Sequence, residues 1–188
     1  MLQKFWINRR NAVALALVVG STALLPVGAQ AQTLSKSALN LAMIGEPPTL
    51  DPMASPADLV STIMQHVYEP LYTFDANSKI VPMLAESLPK VSADGKRYSI
   101  TLRNGVQLHN GRELNAEDVV ASLKRWMEVS PRGKALSKEV EDLSINASQG
   151  IEITLKAPYA PLLSQLAMPS GMAAIMAKES IATPLKEF

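Results

Sequence analysis

The chain has 188 residues, 18 basic against 17 acidic, with 47% apolar side chains, 13 prolines and no cysteine. That length suits one domain or two small ones, and 19% charged residues with a mean hydropathy of +0.09 exclude a disordered polymer. Without cysteine there is no disulfide, thiolate metal site, cysteine nucleophile or N-terminal lipid anchor, and a net charge of +1 gives no reason to expect nucleic acid as a partner.

The first 31 residues read as a secretory signal peptide. Lys4, Arg9 and Arg10 form a basic start, an apolar run follows from Ala12 to Leu25, and Ala29-Gln30-Ala31 places small residues before a cut at Gln32. At 1.5 Å per residue the run reaches ~21 Å, short of the ~30 Å hydrocarbon core, which favours a removable leader over a permanent anchor. Asn8, Asn11 and Ala12 do not support a twin-arginine reading of Arg9-Arg10, so the expected route is Sec export to the periplasm with cleavage after Ala31. The remainder, 32–188, then carries 15 basic and 17 acidic residues, a net charge of −2. Lack of cysteine suits an oxidising compartment.

In chain order, the apolar run 39–44 predicts a buried strand, stopped by Gly45-Glu46-Pro47-Pro48. Leu59, Ile63 and Val67, with Val60 and Met64 beside them, predict a helix over 56–67. Residues 68–74 read as extended up to a turn at Asp75–Ser78, and 82–87 as a single helical turn opened by Pro82. Strict alternation over Tyr98–Arg103, after the turn pair Asp94-Gly95, predicts a hairpin with Val91 on the facing strand. Asn104-Gly105 and Asn110-Gly111 mark further turns.

Asn115 can cap a helix whose first turn holds Glu117 and Asp118, where the helix dipole favours negative charge. Its apolar stripe is Val119, Val120, Leu123, Trp126 and Met127, and core packing is the preferred role for Trp126. Residues 130–133 read as a polar loop, and Leu143–Ile145 with Ile151–Leu155 as a second hairpin. Pro161 opens a short helix over 162–167, closed at Pro169-Ser170-Gly171. The tail from Met172 reads as helical at first, with Met168, Met172 and Met176 on one apolar face, and dissolves after Thr183-Pro184. The class is α+β with small meanders and no internal repeat. One strand and two separate hairpins do not close a core, so the pattern reads as part of a larger fold.

No catalytic constellation stands out. There is no Gly-x-Ser-x-Gly, and His66 and His109 sit in dissimilar settings without a nucleophile–base pattern. Glu117/Asp118 and Glu141/Asp142 are adjacent pairs that point different ways on their elements, unlike carboxylates converging across a cleft. Gly105, Gly111 and Gly133 stand alone, which excludes a phosphate-cradling loop, and the nine methionines lack metal-like spacing. No cofactor is expected. An exported chain without catalytic chemistry favours a binder over an enzyme, with a small secreted enzyme as the alternative.

Several segments in register resemble the extracellular solute-binding proteins of family 5, the peptide- and nickel-type receptors of ABC importers. They are Leu50-Asp51-Pro52, Tyr68-Glu69-Pro70-Leu71, 82–87, Ser92–Lys96, 98–106, His109–Gly111, 115–120, Ser122–Trp126 and Ile151–Pro161. The resemblance implies the N-terminal part of a two-lobed periplasmic-binding-protein-like fold (class II), stopping before the second lobe. It implies a monomer that takes a peptide or other small solute and a cognate ABC permease in the inner membrane, with a non-functional truncated gene product as the other reading of the length. It also implies three ligand-facing loops: Glu46, Met53, Ala54 and Ser55; then Arg132 and Gly133; then Ser170 and Gly171. Arg132 would suit a carboxylate or phosphonate-like group.

Overall fold

The computed structural model of the chain describes residues 40–181, so the predicted leader over 1–31 and the end of the tail lie outside the described residues. The chain divides into two units, Met1–Ala42 and Met43–Phe188. Of the first, residues 40–42 are exposed and irregular.

The short helix α1 (Asp58–Met64) buries Val60, Ser61 and Met64. It ends before Val67, which is 42% exposed, so the predicted helix over 56–67 is shortened at both ends. Strands β1 (Tyr72–Phe74) and β2 (Ile80–Pro82) form an antiparallel hairpin with Phe74 opposite Ile80. The Asp75 carboxylate closes its turn by accepting the amides of Asn77 and Lys79, both at 2.8 Å.

The predicted helical turn over 82–87 is not formed. Pro82 ends β2, and the backbone beyond it is drawn to both sides. Met83 and Ala85 donate to the Leu71 carbonyl at 3.0 and 3.1 Å, while Arg103 donates to the Leu84 carbonyl at 2.9 Å. Buried main-chain groups take partners wherever neighbouring chain offers them, and here both flanks offer more than a local turn.

β3 (Lys90–Val91), β4 (Arg97–Ile100), β5 (Val140–Ile145) and β6 (Ile151–Leu155) make one antiparallel sheet in the order β3-β4-β6-β5. The expectation of two unconnected hairpins is corrected by the β4–β6 pairing, which sets Tyr98 opposite Ile153 and Ile100 opposite Ile151. Residue alternation reports which strand faces are buried. It does not report which strands adjoin across 50 residues of intervening chain.

Along β6, Ile151, Ile153 and Leu155 are buried and Glu152 and Thr154 half-buried, giving one core face. Helix α2 (Ala116–Val129) packs there. Its Asn115 cap is a full capping box: the side chain accepts the Asp118 amide at 3.1 Å, and Asp118 accepts the Asn115 amide at 3.0 Å.

Residues 131–137 are helix α3 (Pro131–Ser137), not the predicted polar loop. Pro131 at its first position needs no N–H there. A Cβ on Gly133 would lie 2.0 Å from the Trp126 carbonyl, so glycine is what lets α3 fold back tightly on α2.

Helix α4 (Leu162–Ala167) matches its prediction. The stretch 172–177 is buried and irregular rather than helical, with an isolated bridge at Ile175, and Met168, Met172 and Met176 do not share a helix face. A short helix α5 (Lys178–Ile181) follows.

The strand predicted over 39–44 is absent from the described part, 40–44, where Leu41 is 69% exposed and Ile44 fully exposed. An apolar run becomes a strand only where a ladder partner lies beside it, and no strand among the described residues pairs with it. No helix of the described residues is long and apolar enough to cross a membrane.

Candidate functional site

The first of the three loops is shaped by a buried ion pair. Asp51 is completely buried, and its Oδ1 accepts the amides of Met53 at 2.9 Å and Ala54 at 3.3 Å, which turns the chain sharply. Arg125 on α2 closes the other side of the carboxylate through Nη1 at 3.2 Å and Nη2 at 2.5 Å. This two-pronged geometry holds a guanidinium and a carboxylate in a fixed mutual orientation. Met53 lies fully buried beneath the turn, its sulfur 3.0 Å from Arg125 Nη1, while Ala54 and Ser55 are half-buried at the surface.

The other two loops meet the first. Ser170 Oγ donates to the Pro56 carbonyl at 2.6 Å, and the Ser170 carbonyl accepts Arg132 Nε at 3.0 Å. One residue on, the Gly171 carbonyl accepts the Trp126 indole N–H at 2.8 Å and the Ser130 hydroxyl at 3.4 Å. Gly171 sits at φ +62°, a left-handed turn where a Cβ would also press on Ser130 Oγ at 3.3 Å.

Seven of the eight residues singled out from the sequence therefore fall in one cluster. Ala54, Ser55, Arg132 and Ser170 present side chains toward its surface. Met53, Gly133 and Gly171 are buried beneath, supporting the backbone. Glu46 lies on the exposed segment after Ile44, and among the described residues no hydrogen bond or ion pair ties it to the cluster. Chemically the surface offers hydroxyls and one guanidinium. It suits recognition of a polar ligand, and among the described residues no group of three or more metal-ligating side chains is assembled.

A second feature lies at the opposite end of α1. Residues 65–69, 106–110, 175–177 and Ser180 line a cleft of about 420 Å³, floored by Leu84, Ile175 and Met176 and rimmed by His66, Glu69 and His109. His109 Nε2 lies 2.9 Å from the Val67 carbonyl oxygen, and its ring meets Tyr68 edge-on at 6.4 Å. Burial, together with the charge of Asp51, raises the Tyr68 phenol above its usual range.

Sequence reasoning missed a third feature, the polar side of α2. Asp118 is fully buried and accepts Arg112 through Nη1 at 2.8 Å and Nη2 at 2.7 Å, together with the amides of Asn115 and of Lys178, the latter at 3.0 Å. Burial alone would push its carboxyl up, but Arg112 and the two amides outweigh that and hold it below the usual carboxylate range. Arg112 also reaches Glu179 at 2.8 Å, and Lys178 pairs with Glu117. Ser122, also fully buried, accepts the Met176 amide at 3.0 Å and donates to the Met176 carbonyl at 3.2 Å. The available signal was the recurrence of polar residues at 118, 122 and 125 along one helix line, which reads equally as a solvated face.

Residues 79–187 match the bacterial extracellular solute-binding proteins, family 5 middle region, and the chain belongs to that family. It is 32% identical over 162 residues to a probable peptide ABC transporter periplasmic-binding protein of Sinorhizobium fredii, covering 86% of this chain and 30% of that protein. It is 31% identical over 126 residues to the glutathione-binding protein GsiB of Pectobacterium atrosepticum, covering 66% of this chain and 24% of that one. Among solved structures, the binding protein AgaA of A. tumefaciens in complex with agropinic acid superposes with a TM-score of 0.63 at 30% identity, over 73% of this chain and 28% of its own. The chain thus spans 24 to 30% of the length of these relatives. The mixed helix-and-sheet fold is that of the family's binding proteins.

Proposed function

We propose that this chain is the substrate-binding component of an ABC importer, taking peptides or similar small solutes, and that the cluster of Ala54, Ser55, Arg132 and Ser170, on the turn made by Gly171, is its contribution to the solute site. Met53 and Gly133 support that cluster from below, and Glu46 adds a carboxylate on the preceding segment. The observation that carries the reading is the convergence of three loops far apart in sequence, through the hydrogen bonds Ser170 to Pro56 and Arg132 to Ser170, in a member of a solute-binding family. Matching proteins described as peptide- and glutathione-binding support the ligand class.

On this reading residues 1–31 direct Sec export and are removed after Ala31. The remainder, 32–188, works in the periplasm as a monomer, hands its solute to a cognate permease, performs no catalysis and binds no nucleic acid. The test is calorimetric titration of the protein as isolated from periplasmic extract, its intact mass recorded alongside, with di- and tripeptides and with glutathione. Saturable binding that weakens about tenfold or more in Arg132→Ala supports the proposal, since charge-assisted hydrogen bonds contribute roughly twice a neutral one. A folded protein that binds none of these solutes, or whose affinity ignores Arg132, overturns it.

A further inference from the structure

The segment 171–177 is buried although it belongs to no sheet, and Lys178 opens helix α5 directly after it. The segment meets neighbouring main chain at Glu69, where Ile175 forms an isolated antiparallel bridge and its amide donates to the Glu69 carbonyl at 3.0 Å. Side chains of α2 hold it elsewhere, and they do so at four-residue intervals. Trp126 binds the Gly171 carbonyl, Ser122 binds both main-chain groups of Met176, and Asp118 binds the Lys178 amide. Residues 118, 122 and 126 stack along one line of a helix. The segment therefore runs antiparallel to α2 as a strap, with the solute-site loop Ser170-Gly171 at one end and the buried Asp118–Arg112 pair at the other.

We propose that Ser122 is a positioning residue for the solute site, acting through this strap. The hydroxyl is the middle tie and makes two hydrogen bonds, one given and one taken, so it fixes the strap both along α2 and in rotation. The Gly171 carbonyl can meet the Trp126 indole only if the strap is in that register. Ser170, whose carbonyl aligns Arg132 and whose hydroxyl reaches Pro56, is carried with it. The inference rests on the proposed solute site for its functional consequence, but the strap's register is testable without a ligand.

The test uses the full chain and three variants, Ser122→Ala, Ser122→Thr and Asp118→Asn, with trialanine and glutathione as probes. In wild-type protein the Trp126 indole N–H gives a distinct NMR resonance with slow exchange. In Ser122→Ala the Met176 and Lys178 amides and that indole N–H all exchange about tenfold faster or more, because one buried tie is lost and the strap opens as a unit. Probe affinity falls about tenfold while the sheet amides of β4 and β6 stay unchanged. Ser122→Thr, which keeps the hydroxyl, restores both readouts. Should Ser122→Ala not fold, Asp118→Asn loosens the strap from its other end, and its effect must still reach the Trp126 indole. Faster exchange confined to Met176, with the indole unmoved, overturns the proposal. So does a Ser122→Ala protein that binds either probe as tightly as wild type. If wild type binds neither probe but the indole responds as described, the solute reading fails and the strap mechanism stands.

Discussion

Helix α2 is buried on two sides, and different forces hold each. Toward the sheet, Leu123, Trp126 and Met127 face Val140, Leu143 and Ile153, with Leu136 of α3 and Leu166 of α4 closing the contact. Toward the loop at 51–54 and the strap, the contacts are Arg125 on Asp51, Ser122 on Met176, and Asp118 on Arg112 and Lys178. Apolar contact scales with area and has no direction, so such a face tolerates repacking within its volume. A buried polar contact has direction, and removing one partner strands the other without water. The sheet side gives α2 its stability, and the polar side gives the irregular segments a single register.

The largest expected effect is on the polar side. Arg125→Ala leaves the Asp51 carboxylate buried without its guanidinium and should cost ~3–5 kcal/mol in urea unfolding. A cost below ~1 kcal/mol would mean that the polar side contributes no more than a surface ion pair. Leu123→Ala, on the apolar side, is expected to cost ~2–5 kcal/mol, whereas Leu123→Met stays under ~1.5 kcal/mol. The contrast is sharpest there: the apolar side accepts a shape change, while Arg125→Lys, which keeps charge but loses the fork, should still be clearly destabilised.

Gly133→Ala pushes a methyl group against the Trp126 carbonyl and should lose ~1–3 kcal/mol by thermal melting, regardless of ligand. Unchanged stability would mean that the close approach of α3 to the Trp126 carbonyl does not depend on glycine.

Acid titration separates the two sides again. The Asp118 carboxyl is depressed in the folded state, so its contribution is complete above the unfolded carboxylate pKa and disappears as pH falls through the folded value. Melting temperature should therefore drop on acidification, and Asp118→Asn should flatten that drop. An identical acid profile in the variant would remove Asp118 from the account. Smallest of all, Asn115→Ala removes the α2 cap at ~1 kcal/mol.

The apolar side was legible because it is written in periodicity. Val119, Leu123 and Trp126 repeat as a helix requires, and Ile151, Ile153 and Leu155 as a strand requires. For the loops of the candidate site, the resemblance implied that Glu46, 53–55, 132–133 and 170–171 face one ligand, and the structure brings all of these but Glu46 together through the Ser170 bond to Pro56 and the Arg132 bond to Ser170. The polar side was illegible for a physical reason. Asp118 at the start of a helix satisfies the dipole whether or not it is buried, and Ser122 and Arg125 look solvated until their distant partners are in place. Those partners, Asp51 and Met176, lie 74 and 54 residues away. The strap at 172–177 was misread as helix because four-residue methionine spacing is also met by an irregular segment buried all round.

The most direct test of the account is native-state hydrogen exchange on the wild-type chain near neutral pH. If side chains of α2 fix the strap, the Met176 and Lys178 amides, outside any sheet, should be protected as strongly as those of β6. Exchange as fast as that of the exposed turn at Asn110-Gly111 would mean that the polar side of α2 holds nothing in place, and the description of the site's support would be wrong.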